Sequence, residues 1–274
     1  MGARNTRTVG IAALALALGG AHSEGATVAH WTFEEGPANT TATGAGSIVD
    51  VVNGLNGTPQ GGPTYRSVAA PVGALGLEFD GSNDKIRVPD DPLFAITGDL
   101  TVEAIIRLDG ITPAVQYNQI LWRGDTRSGL DPYFLAVRTS GRLHFSVGTE
   151  LQTSANVISP DPLPFGQVVH VAGTLDDATG MMKLFVNGTE VNSITTSLRP
   201  FGALNPTLDP GVGLGALHNH NGQYFDGIIA EARISNESLT SDQFLPSPSA
   251  PIAYLIAGTA FARRRRYRAH PPWH

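Results

Sequence analysis

Carboxylates and loop-placed aromatic rings are the chemistry-bearing residues of this chain. Hydrolysis of a glycosidic bond needs two carboxyl groups about 5–5.5 Å apart for retention, or ~6.5–9.5 Å for inversion. Glu34 and Glu35 are adjacent, so strand alternation points them to opposite faces; Glu78 and Asp80 share a face, but Asp80 sits at a turn. The chain has no Gly-x-Ser-x-Gly, His-Glu-x-x-His or phosphate-loop motif. No catalytic residue is therefore expected. Oxygen clusters suited to a hard cation occur at Glu34/Glu35, Asp80/Asp84, Asp90/Asp91 and Asp176/Asp177. The same residue types close turns through side-chain to backbone bonds, which alone accounts for Asp80-Gly81 and Asp176-Asp177. His218 and His220, two residues apart in His-Asn-His-Asn-Gly, read either as a metal or glycan loop or as a polar hairpin loop. Tyr65, Tyr117, Tyr133 and Tyr224 fall at loops, where rings stack on sugars and polar groups fix hydroxyls. Tyr117, Tyr133, His218, His220 and Tyr224 are the expected ligand contacts, whereas Trp31 and Trp122 are expected in a core or at its edge.

The elements that must position these groups are short strands. With 32 glycines and 19 prolines, the chain shows no long amphipathic helical stretch. Period-two alternation predicts strands at 29–33, 75–79, 85–88, 100–108, 119–122, 133–138, 142–147, 168–175, 182–186, 190–194, 212–217 and 227–234. Asn187-Gly188 is a type I′ hairpin signal, because both central positions need positive φ. Segments 37–46, 52–63 and the triple-proline stretch 154–164 read as surface loops. Turns every 8–12 residues among alternating strands argue for an all-β sandwich of two antiparallel sheets. With no cysteine, such a domain stands on its core alone.

Both ends read as sorting segments. Arg4 and Arg7, the apolar run 9–18 and the small residues up to Ser23 follow the order of a secretory signal peptide, expected to span 1–23. At the other end, Pro246-Ser247-Pro248 precedes the apolar run 250–262 and then Arg263, Arg264, Arg265, Arg266 and Arg268. That run falls short of the ~20 apolar residues a bilayer span needs, and the arginines would hold the end on the cytoplasmic side. Removing both ends takes seven of the 18 basic residues and none of the 24 acidic ones, so the formal charge moves from −6 to −13. Such a surface excludes nucleic acid as a partner.

Two resemblances follow from these residues. The segment 245–274 resembles the PEP-CTERM tail of bacterial envelope proteins, although Ser247 stands where those tails usually carry Glu. That implies an exosortase-type processing enzyme as partner and a transient membrane contact. Between them, 24–244 carries Trp31-Thr32-Phe33-Glu34-Glu35-Gly36, Leu77-Glu78-Phe79-Asp80-Gly81, Leu100-Thr101-Val102-Glu103-Ala104, His170-Val171-Ala172-Gly173-Thr174, Lys183-Leu184-Phe185-Val186-Asn187-Gly188 and 224–234. In that order the blocks resemble the laminin-G-like, concanavalin A-like jelly rolls of bacterial surface proteins. The resemblance implies a jelly-roll β-sandwich that recognises extracellular polysaccharide or a surface protein, and makes His170 a packing residue. It also implies one structural Ca²⁺, for which Glu34, Asp80 and Asp84 are the expected ligands. Glucanases of this fold carry Glu-x-Asp-x-x-Glu or Glu-x-Asp-x-Glu on one strand, and this chain has neither. Its last block has Ala230 where the family usually places an Asp before Glu231.

Overall fold

Alternating apolar residues close here into two antiparallel sheets, each presenting one face to a shared core. The computed structural model describes residues 27–68, 73–113 and 115–246. In chain order the strands are β1 (Thr27–Trp31), β2 (Thr58–Gln60), β3 (Thr64–Ser67), β4 (Leu75–Asp80) and β5 (Lys85–Pro89). Next come β6 (Leu100–Gly110), β7 (Tyr117–Gly124), β8 (Tyr133–Arg138), β9 (Arg142–Gly148) and β10 (Ser154–Pro162). The last five are β11 (Val168–Leu175), β12 (Met181–Val186), β13 (Thr189–Thr195), β14 (Gly211–Leu214) and β15 (Asp226–Ser235). One sheet is ordered β13-β12-β11-β6-β15-β4-β3, and the other β10-β9-β8-β7-β14-β5-β2. β15 is the spine of the first: it pairs with β6 on one side, while its other side takes β4 along 226–229 and β1 along 232–235.

The expected fold class holds, and two loop assignments do not. The triple-proline segment 154–164 is largely strand: β10 pairs with β9 alone, so it is a sheet edge. Proline, which lacks a backbone N–H, is tolerated there, and the register breaks between Ile158 and Pro162. Its alternation is clean, with Ala155 and Val157 turned to the core and Ser154 and Asn156 away from it. Part of 52–63 forms β2, and Tyr65 lies on β3, buried in the core instead of on a loop.

The core is aromatic and tightly interleaved. Trp31 stacks on Phe94 at 6.4 Å between ring centroids, and its indole N–H donates to Leu55 O at 3.0 Å. Gly173 of β11 lies under Phe145 of the opposite sheet, where a Cβ would come within 2.2 Å of the ring. No side chain fits between the sheets at that point.

The far face of the β15 sheet is covered by the chain's own residues 236–245. Thr101 donates its hydroxyl to Glu237 O (2.6 Å) and accepts from Leu239 N (2.9 Å). Phe244 packs between the His170 and Phe185 rings, at 5.2 and 5.0 Å. Beneath it Glu103, 0% exposed, accepts from His170 Nε2 (2.8 Å), Arg233 Nε (2.6 Å) and Leu245 N (2.8 Å). Burial alone would push the Glu103 carboxyl up; the His170 hydrogen bond, the Arg233 charge and the Leu245 N–H together outweigh it and hold it below the usual range. His170 is thus a packing residue, as the resemblance implied, with a carboxylate partner besides. Ala230 joins Val68, Ile105, Ile228 and Leu245 in a small apolar cluster on this face, while Glu231 accepts from His30 Nε2 at 2.8 Å.

Candidate functional site

The far face of the other sheet is open. Tyr133, Leu135 and Val137 of β8 turn inward, as do Leu143, Phe145 and Val147 of β9. The alternate positions Phe134, Ala136, His144 and Ser146 therefore face out. Trp122 joins them through a break in the pattern. Ile120 and Leu121 both reach the core, because the β7–β8 register shifts between Gln119 and Leu121. That bulge turns Gln119 and Trp122, three residues apart, to the same outer face. Trp122 then folds back over Gly124, where a Cβ would stand 2.3 Å from the indole.

Gln119, Trp122, Phe134 and Ser146 line a groove of about 550 Å³. Trp122 and Phe134 form its floor with Leu217 beside them; Tyr117 stands over the floor, 5.1 Å from Phe134 and 5.2 Å from His144 between centroids. Gln119, Ser146, Asn156 and Gln223 supply polar groups, and the loop 125–131 supplies Asp125, Arg127 and Asp131. His144 is pushed down to about 4, first by burial and then by the Arg138 charge, against the pull of its hydrogen bond with Asn156. Its Nε2 lies 2.8 Å from Asn156 Oδ1, so the neutral ring donates there and orients the amide.

Two buried polar atoms in this groove lack a well-formed hydrogen bond. Trp122, 2% exposed, turns its indole N–H toward the Asp131 carboxylate without closing an aligned bond. Gln119, 1% exposed, donates its amide nitrogen to Gln223 Oε1 at 2.8 Å and leaves its own Oε1 without a donor. Buried polar atoms are normally satisfied, so the Gln119 oxygen above all marks where a ligand or water binds. Asp125 is 1% exposed and committed: it accepts from Arg127 N, Nε and Nη2 and from Asn205 N. Burial would raise its carboxyl, and those bonds overcome it and hold it low. Asp131 is raised to about 6, mainly by burial and further by Asp125, with the Trp122 indole and His220 pulling the other way.

Of the expected contacts, Tyr117 and His220 line the groove and three others do not. Tyr133 is a correction: it is fully buried between the sheets, its hydroxyl donating to Phe94 O at 3.1 Å, because it is the inward residue opening β8. His218 is a second: it is buried facing away from His220, donating from Nδ1 to Val212 O (3.1 Å) and accepting at Nε2 from Arg87 (3.2 Å). Successive turns of the loop after β14 part the two histidines, so they do not share a face. Tyr224 lies beside the groove without lining it, its hydroxyl donating to Asn221 Oδ1 at 3.3 Å. Trp122, Gln119, Phe134 and Asp131 were missed. Phe134 was legible from the alternation of β8; the other strand residues depend on a bulge that no periodicity announces.

The expected calcium ligands do not meet. Asp80 and Asp84 share an acidic hollow with Glu78, Asp109 and Asp226 at one end of β4. Glu34 is at the other end of that strand, roughly 17 Å away at 3.3 Å per residue, accepting from Ala74 N (2.7 Å) and Leu75 N (2.9 Å). Asp80 accepts from Ser82 N and Asn83 N, and Asp84 from Asp80 N, which is turn closure. Burial and then the Asp80 charge raise Asp84 to about 6. Among the described residues no group of three His, Cys, Asp or Glu side chains is arranged to hold a metal ion. The residues present do not fit the Ca²⁺ that the resemblance implied. Of the tail, Pro246 is exposed, while Pro248, Arg263, Arg264, Arg265 and Arg266, like 1–23, lie outside the described residues.

An all-β jelly-roll sandwich with one face sealed by its own C-terminal segment and the other carrying a ring-floored groove defines a lectin-like class of protein. The family described as Laminin_G_3, concanavalin A-like lectin/glucanases superfamily, matches residues 80–244, and the chain belongs to it. Among solved structures it is similar to domain 4 of AbnA, an extracellular arabinanase from Geobacillus stearothermophilus, in complex with arabinotriose: 19% identity, TM-score 0.57, covering 80% of this chain and 96% of that one. It is also similar to the receptor-binding domain of a botulinum neurotoxin C/D mosaic serotype, at 16% identity and TM-score 0.53 over 79% of this chain and 49% of that one. A third is the NanB sialidase from Streptococcus pneumoniae, at 17% identity and TM-score 0.50 over 63% of this chain and 27% of that one. At these identities the likeness is one of fold. The comparison with curated protein sequences gives no match.

Proposed function

We propose that this protein is an exported, non-catalytic recognition domain that binds extracellular glycan in the groove over β7–β10 and is sorted to the cell envelope through its C-terminal tail. The observation that carries the reading is the combination of an aromatic floor with the unsatisfied Gln119 Oε1 and a Trp122 N–H that turns toward Asp131 without an aligned bond. Rings that cover the apolar face of a sugar, with a few polar groups fixing its hydroxyls, are the recurring chemistry of saccharide sites. The family's lectin members and the arabinotriose bound to the arabinanase domain support the same direction. Export and exosortase-type processing rest on the residue order at the two ends.

One observation favours catalysis and is answered by another. Asp125 is held low and Asp131 raised to about 6, the divergence expected of a base and an acid. But both oxygens of Asp125 are filled by Arg127 and Asn205, and the carboxylate is closed off from any substrate. A nucleophile or water-activating base needs a free oxygen.

Calorimetric titration of the purified protein with oligosaccharides tests the reading. Tyr117→Ala, which removes the half-exposed ring, should weaken binding at least tenfold, about 1.4 kcal/mol or more, with thermal melting showing that the variant still folds and no release of reducing ends. Flat titrations for every oligosaccharide, with and without EDTA, would leave an adhesive protein with protein partners.

A further inference from the structure

Resting on the glycan reading of the same groove, we infer that its occupant is a neutral sugar and that a uronic or sialic acid is turned away, because the groove's arginine is paired with a buried aspartate while a second aspartate in the wall has no arginine or lysine of its own. The charged and titratable groups lining the groove are Asp125, Arg127, Asp131, His220 and the Tyr117 phenol, and Glu150 acts on Arg127 from beside it. Arg127 would be the natural partner of a sugar carboxylate, since its fork matches one bidentately. Its side-on edge is already occupied, Nε and Nη2 lying 2.9 and 2.6 Å from the two oxygens of Asp125, so only the Nη1 end is left, with its charge offset by Asp125. Asp125 cannot release it, being buried and bonded to two backbone N–H groups as well. The pair enters the groove as a neutral unit. Asp131 has no such cation; the exposed His220 only tempers it.

Hydrogen-bond complementarity points the same way. Gln119 Oε1 has no donor, and the ionised Asp131, toward which the Trp122 indole turns, accepts as well. Sugar hydroxyls both accept and donate, so neighbouring hydroxyls can donate to both. A carboxylate only accepts, and would face two further acceptors, one of them charged. His144, packed behind Tyr117, is held neutral by its burial and offers no positive charge.

The experiment is a titration of the full protein with matched oligomers, galactan against polygalacturonate and mannan against mannuronan, at pH 7.5 and pH 5. The neutral member of the bound pair should bind at least tenfold tighter at pH 7.5. The gap should narrow at least threefold at pH 5, where Asp131 takes a proton while the uronates stay ionised. Asp131→Asn should raise uronate affinity at pH 7.5 and flatten its pH dependence, with thermal melting checking the variant's fold. His220→Gln should leave that dependence in place. Equal or tighter uronate binding at pH 7.5 would overturn the inference yet leave the glycan site standing. No binding by either member of any pair would overturn both.

Discussion

His144 shows how one side chain couples the groove to the stability of the sandwich. Its ring packs edge-on against Phe134 at 5.2 Å and beside Tyr117, with Nδ1 unpartnered. Burial holds it near 4, below the ordinary 6.5, so the folded state prefers the neutral ring. The stability this contributes is complete above pH 6.5 and is lost as pH falls toward 4. Asp84 and Asp131, raised to about 6 by burial, act oppositely in that window, because protonation relieves them. The wild-type slope should therefore be shallow, and a variant is needed to see either part. His144→Gln, which cannot charge, should gain about 2.5 kcal/mol relative to wild type between pH 7.5 and pH 4.5, measured by denaturant unfolding at both values. A constant offset between the two proteins would refute it. Residue types alone pointed to part of this groove: Tyr117 and His220 both line it, one at a strand start beside Gln116 and the other in a loop between Asn219 and Asn221. Trp122 was assigned to the core or its edge because strict alternation from Leu121 and Gln119 leaves its face undecided, and the register shift that settles it is a property of strand pairing.

Among the elements, the two sheets differ in how their outer faces are finished. The β15 sheet is capped by 236–245, pinned through Glu103 to His170, Arg233 and Leu245 N, whereas the outer face of the β7 sheet carries a groove floored by buried rings with the half-exposed Tyr117 over it. Glu103→Ala would strand the Arg233 charge and the Leu245 N–H over the sheet. The expected cost is ~3–5 kcal/mol, the range for removing one partner from a buried charge cluster, read as an earlier denaturant midpoint at unchanged slope. A loss under about 1 kcal/mol would mean the C-terminal segment holds without its carboxylate. The strands carrying Glu103, His170 and Arg233 were each legible in the sequence, because their inward positions are uniformly apolar. Their mutual contact was not, since β6, β11 and β15 are brought side by side by pairings between residues far apart in the chain. β10 was hidden for a different reason: its prolines outweigh its alternation when read locally, and only its position at a sheet edge makes them harmless.

At the scale of the whole molecule, the question is where the fold stops and the tail begins. Among the described residues the last with a fold contact is Leu245, whose N–H is bonded to Glu103 and whose side chain is buried with Ile105 and Ile228; Pro246 beside it is exposed. Seven of the 18 basic residues lie in the two ends, so the processing proposed above would leave a body of formal charge −13. Truncation separates these parts. A chain ending at Pro246 keeps every contact described here and should melt with the full-length protein. A chain ending at Gln243 loses Phe244 from between His170 and Phe185 and Leu245 from its apolar cluster, at a cost of roughly 2–4 kcal/mol for two side chains returned to water. Because Glu103 and Leu245 share one network, Glu103→Ala in the shorter chain should cost less than in the longer one, a coupling that a double-mutant cycle measures. If the chain ending at Pro246 melted as low as the one ending at Gln243, the segment proposed for sorting would have to be counted as part of the fold, and the proposed processing as a step that weakens the domain.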